Sequence, residues 1–128
     1  MLKPDEPASD ADLAMAEQAA SARERVEALR AEAEEDAAQL TGRIADITAA
    51  RAGDNSDDEH DPEGATLAFE RSQADALRAS ALARLAAADA VLARIAAGAY
   101  GRCAVCGEAI APARLAARPL TDRCIRHA

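Results

Sequence analysis

The residues best suited to chemistry lie close together in the chain: Cys103-Ala104-Val105-Cys106-Gly107 and Cys124-Ile125-Arg126-His127, with seventeen residues separating Cys106 from Cys124. The pattern is C-x2-C followed by C-x2-H. Zn²⁺ favours thiolate and imidazole ligands, and two knuckles of this spacing can present four of them tetrahedrally. Cys103, Cys106, Cys124 and His127 are therefore the candidate metal ligands, for one zinc ion. Four protein ligands leave no open position, so the metal is expected to be structural rather than catalytic. A module this small cannot be held by its own apolar core, so zinc should supply much of its folding energy. Two other readings stand beside this one. Cys103 and Cys106 could form a redox pair, but that chemistry goes with a βαβ pattern, which is missing. His127 could also be frayed and not a ligand.

The elements that must position these ligands are helical. Half of the 128 residues are hydrophobic, yet there is one Phe, one Tyr and no Trp. Most of the apolar residues are alanine, the best helix former and a poor source of buried area. The expected class is mainly α: a long antiparallel coiled-coil helical hairpin with a small C-terminal zinc finger. Residues 1–8 are expected to be flexible, the hairpin to span 9–98, and the zinc-finger module 99–128. The first helix is predicted over 9–52, opened by a capping-box pair of Ser9 and Asp12 and closed by Gly53. Its apolar stripe is Val26, Leu29, Ala33, Ala37, Leu40, Ile44 and Ile47, at steps of three and four. The second helix is predicted over 62–97, with Asp61 as N-cap and Pro62 in the first helical position. Its stripe is Leu67, Ala74, Leu77, Ala81, Leu85, Ala88, Leu92 and Ile95, edged by Leu82 and Val91, and Gly98 stops it. At 1.5 Å per residue this helix reaches about 50 Å. Gly42 is a weak point inside the first helix. Phe69, the sole phenylalanine, is expected to lock the turn by packing, with a partner contact as the other reading.

Between the helices lies an acidic tip, 53–64, in which six of twelve residues are carboxylates. Residues 1–66 carry 18 acids and 6 bases, whereas residues 101–128 carry 2 acids and 5 arginines. An acidic hairpin with a basic end argues against a DNA-backbone footprint and allows docking on a positively charged protein surface. No apolar run suits a signal peptide or a membrane span. Cysteine usage suits a reducing cytosol, so the expected location is cytoplasmic. His60 among carboxylates raises acid–base or metal chemistry at the tip, but an exposed turn encloses no pocket. An enzyme is not expected.

The stretches Tyr100-Gly101-Arg102-Cys103-Ala104-Val105-Cys106-Gly107, Arg114-Leu115-Ala116-Ala117-Arg118-Pro119 and Cys124-Ile125 resemble the DksA/TraR family of zinc-finger transcription regulators, as does a helical hairpin with an acidic tip. The resemblance covers residues from about 60 to 127. It implies a non-catalytic factor that binds RNA polymerase, inserts the coiled coil through the secondary channel and modulates transcription initiation without sequence-specific DNA binding; a monomer is expected. Counting back from the first knuckle aligns His60, Glu63 and Ala65, with Thr66, to the family's tip signature. The candidate partner-binding set is Asp57, Asp58, Glu59, His60, Asp61, Glu63 and Ala65. Arg118 matches the family's arginine before a proline and is a candidate alarmone or polymerase contact. Ala87 stands where members that respond to ppGpp have a lysine, and their final helix has no counterpart here, so a weak or absent ppGpp response is expected. The fourth ligand is histidine where the family has cysteine. A second reading, from a different class, is a zinc-finger adaptor or scaffold that does not act on RNA polymerase.

Overall fold

The computed structural model describes residues 9–53 and 62–128. The element order is α1 (Asp10–Ala52), α2 (Pro62–Ala96), α3 (Pro112–Ala117) and a 3₁₀ turn at Ile125–His127. The two long helices pack against each other as an antiparallel hairpin. Their starts follow local chemistry. The Ser9 N–H donates to Asp12 Oδ2 at 3.3 Å, and the Asp12 N–H donates back to Ser9 Oγ at 3.2 Å. This reciprocal pair satisfies backbone donors that no helical carbonyl can reach. α2 begins at Pro62, whose missing N–H costs nothing in the first turn.

The C-terminal end of α2 is a Schellman cap. Gly98 adopts a left-handed φ of 73°. Its N–H donates to the Ile95 carbonyl at 3.1 Å, and the Ala99 N–H donates to the Arg94 carbonyl at 2.9 Å. Only glycine takes this conformation without steric cost. Gly53 behaves differently: its N–H reaches the Ala49 carbonyl at 3.2 Å, and its φ is not left-handed. It prolongs the helical pattern by one bond, so the cap expected there does not form.

The chain divides into two compact units, one of residues 9–28 with Ala88–Ala128 and the other Leu29–Ala87. In the first, Ala22, Val26, Ala88, Val91 and Ile95 form a buried cluster, against which Ala19, Leu92, Tyr100 and Leu120 pack. Zinc-module residues therefore complete a core begun by the two helices.

In the second unit the seam is thin. Ala33, Ala37, Ile47, Ala74 and Ala81 are buried, while Leu29, Leu40, Ile44, Leu67 and Leu85 are half-buried. Three arginines of α2 cross to α1. Arg71 donates to Thr48 Oγ1 at 2.7 Å, Arg78 donates to Thr41 Oγ1 at 2.7 Å, and Arg84 meets Asp36 Oδ2 at 3.2 Å. Each threonine hydroxyl donates to its own helix, Thr41 to the Ala37 carbonyl at 2.8 Å and Thr48 to the Ile44 carbonyl at 2.9 Å. Its lone pairs stay free for the arginine.

Three expected core residues lie outside the core. Leu77 is 48% exposed and Leu82 41%. Ala74, Ala81 and Ala88 recur every seventh residue along the contact line, and against so slender a partner the leucines flanking that line are not covered. Phe69 is 69% exposed and does not pack to lock the turn. It points away from the same narrow seam.

Candidate metal centre

The first knuckle is built from backbone hydrogen bonds around Cys103. Its N–H donates to the Glu108 carbonyl at 2.8 Å, and the Gly107 N–H returns to the Cys103 carbonyl at 2.9 Å. Gly107, at φ 73°, makes the reversal. An isolated antiparallel bridge pairs Arg102 with Ala109, and the Val105 N–H donates to Cys103 Sγ at 3.4 Å. The second knuckle is the 3₁₀ turn, closed by the His127 N–H on the Cys124 carbonyl at 3.0 Å. The Ala104 N–H donates to the Asp122 carbonyl at 2.7 Å, joining the two knuckles. Below them Cys103, Ile110 and Cys124 form a small buried cluster with Leu115 packed against it.

Cys103, Cys106, Cys124 and His127 converge, with ligand atoms all within 4.8 Å of one another. Cys106 Sγ and Cys124 Sγ are 3.8 Å apart, which matches the edge of about 3.8 Å for a tetrahedron with Zn–S of about 2.3 Å and is far beyond disulfide length. His127 Nδ1 lies 3.1 Å from Cys124 Sγ and 3.8 Å from Cys103 Sγ. These values bracket the S···N edge of about 3.6 Å expected around zinc. His127 is part of the cluster and not frayed away from it, and it faces the sulfurs through Nδ1. The arrangement fits one structural zinc, held by all four side chains with no open position.

The electrostatics agree with a shared cation. The Cys103 thiol is held below its ordinary range, chiefly by hydrogen bonding to the backbone at Cys124, with further help at Cys106 and Val105. Burial pushes the Cys124 thiol up, but hydrogen bonds from the backbone at Arg126 and His127 and from its thiol neighbours bring it below its ordinary range. Cys106 goes the other way. A backbone hydrogen bond at Glu108 lowers it, yet desolvation and the adjacent Cys103 and Cys124 sulfurs outweigh that and raise it. Three thiols this close resist full ionisation until a positive charge sits among them, which a bound metal supplies.

Several arginines hold this scaffold, a role their spacing did not reveal. Arg94 at the end of α2 donates to the Ala99 carbonyl at 3.3 Å and also to that of Arg102. Arg114 Nε donates to the Arg123 carbonyl at 2.9 Å. Arg126 pairs with Glu108. Each ties an element to a knuckle carbonyl or carboxylate.

Residues 98–126 match the family model of the prokaryotic dksA/traR C4-type zinc finger. Over the whole fold, the chain is similar to the transcription factor DksA2 from Pseudomonas aeruginosa. The TM-score is 0.72 at 25% identity, covering 94% of this chain and 85% of that one. The zinc-finger segment thus matches the dksA/traR family model, and the whole fold resembles that of a DksA-type transcription factor. No curated protein matches by sequence. The matched model is of C4 type and ends at residue 126, whereas the fourth residue of the cluster here is His127.

Arg118 lies exposed beyond α3, beside a groove of about 350 Å³ shared with Ala111, Arg114 and Ile125. Glu63 and Ala65 are exposed on the first turns of α2. Asp57, Asp58, Glu59, His60 and Asp61 lie outside the described residues, as do residues 1–8. Among the described residues no helix is long and apolar enough to cross a membrane.

Proposed function

We propose that this DksA-type regulator binds RNA polymerase, directs the acidic connection between α1 and α2 into the secondary channel, and modulates transcription initiation. The observation that carries this reading is the likeness to a transcription factor over 94% of the chain, joined to a family-matched zinc finger. The DksA/TraR fold is not an enzyme fold, and the only clustered chemistry among the described residues is a closed metal site. The carboxylates Asp57, Asp58, Asp61 and Glu63 act by charge, on nucleic acid or on the metal-bound active centre they approach. The zinc module steadies the base of the hairpin. The protein works as a cytoplasmic monomer, without reading DNA sequence, and responds weakly or not at all to ppGpp.

The test is a pull-down with core polymerase, comparing the full chain with a variant whose residues 53–64 are replaced by a short neutral turn. Binding by the full chain supports the proposal, and failure to bind sinks it. Combined Asp57→Asn, Asp58→Asn, Asp61→Asn and Glu63→Gln substitutions should then abolish the effect on transcription while leaving binding nearly intact. Unchanged transcription would reduce the connection to a solvated turn.

A further inference from the structure

Each knuckle is entered through an arginine followed by a cysteine, Arg102-Cys103 and Arg123-Cys124. In both, the carbonyl of that leading arginine accepts a hydrogen bond from another arginine, which lies on a helix outside the knuckle. Arg94, in the last turn of α2, donates to the Arg102 carbonyl. Arg114 Nε, on α3, donates to the Arg123 carbonyl at 2.9 Å. The peptide group is planar, so this carbonyl and the cysteine N–H turn as one rigid unit. In the first knuckle the unit is held at both ends, because the Cys103 N–H donates to the Glu108 carbonyl at 2.8 Å. In the second, the Arg123 carbonyl also accepts from Thr121 Oγ1 at 3.2 Å. Arg94 and Arg114 are both half-buried, whereas Arg118 is exposed.

The ligands that follow these anchored peptides are the buried ones. Cys103 is 3% exposed and Cys124 7%, whereas Cys106 is exposed and His127 half-buried. The metal site therefore has an inner pair, one sulfur from each knuckle, and an outer pair nearer the solvent. We infer that Arg94 and Arg114 are positioning residues for zinc. They fix the two peptides from which the inner sulfurs project, and through them set the affinity and coordination geometry of the metal. A ligand whose backbone is already fixed loses less conformational freedom when the metal arrives. Arginine suits the task because its fork of donors can hold more than one acceptor, and Arg94 also donates to the Ala99 carbonyl at 3.3 Å. Its charge strengthens each of these bonds.

The experiment uses the full chain and two readouts. One is the transfer of zinc to a chromophoric chelator. The other is the visible absorption of Co²⁺ bound in place of zinc, whose ligand-field and thiolate charge-transfer bands report the geometry around the metal. Arg94→Met and Arg114→Met keep an unbranched, helix-compatible side chain and remove the donor, and Arg118→Met is the control. Circular dichroism at saturating zinc verifies folding. Each of the first two variants should lower zinc affinity about 10–100-fold and shift the cobalt bands, while the control changes neither. Arg94→Lys and Arg114→Lys retain a charged donor and should recover part of the affinity. They carry the test should a methionine variant fail to fold. Natural affinity in either methionine variant overturns the assignment for that arginine. A fall in affinity with natural cobalt bands and a matching loss of helix overturns it as well, because the arginine would then brace the fold and not the ligands.

Discussion

At the fourth corner of the metal site, His127 would contribute an imidazole where a C4-type finger has a thiolate. Three thiolates and Zn²⁺ leave a net charge of −1, against −2 for four thiolates, so less negative charge must be accommodated in a partly buried cluster. Replacing His127 by alanine removes a direct ligand and should lower zinc affinity by more than the 10–100-fold typical of lost outer-shell partners. His127→Cys should keep one zinc per chain. Transfer of zinc to a chromophoric chelator distinguishes the two, and equal retention by the alanine variant would remove His127 from the ligand set. Tyr100 offers a second test at this scale. Its hydroxyl is buried with no hydrogen-bond partner among the described residues, while its ring packs on the cluster of Ala22, Val26 and Ile95. An unsatisfied buried hydroxyl is unfavourable, so Tyr100→Phe should be neutral or stabilising by up to about 1 kcal/mol in thermal unfolding. A clear loss of stability would mean that the hydroxyl has a partner.

The long helices are held by a narrow alanine seam and by the polar rungs that flank it. An alanine contact line buries little area, so directional bonds such as Arg78 to Thr41 add specificity that apolar contact alone lacks. The geometry is close, at 2.7 Å, but the arginine is partly exposed, so a double-mutant cycle of Arg78→Gln and Thr41→Val should give a coupling of about 0.5–1.5 kcal/mol. Additive effects would mean that the rung contributes nothing beyond its separate side chains. Gly42 lies in the interior of α1, with open space where a Cβ would project. Gly42→Ala should therefore stabilise by about 1 kcal/mol through helix propensity, seen as a higher Tm. At Gly98 the sign reverses: its left-handed φ makes Gly98→Ala destabilising.

Across the whole molecule, metal and helix stability are linked through one of the two compact units. Tyr100 and Leu120 of the zinc module cover Ala22, Val26, Val91 and Ile95, so chelating zinc should do more than unfold residues 99–128. Amides around Ala22–Val26 and Ala88–Ile95 should lose hydrogen-exchange protection, while those of Leu29–Ala87 keep most of theirs. Uniform loss along both helices would show that the units do not open separately. Charge is also uneven at this scale, and the basic end is less available than its composition suggests. Of its arginines, Arg114 and Arg126 bond within the module, whereas Arg118 stands exposed.

Local chemistry made much of this protein legible in its sequence. Ser9 and Asp12, Pro62 and Gly98 mark helix ends because capping needs particular side chains and conformations at fixed offsets. The ligand set is legible because zinc geometry demands two closely spaced pairs. The seam through Ala33, Ala37, Ala74 and Ala81 follows from the helical period. What the tertiary structure alone decided is which members of each stripe the partner covers, and what the exposed polar residues touch. Leu77, Leu82 and Phe69 have the composition of core residues, but a helix pair joined through alanine is too slender to bury them. Nothing in the spacing of Arg71, Arg78, Arg94 and Arg126 names their partners. Their bonds depend on which carbonyl, hydroxyl or carboxylate the fold brings within reach.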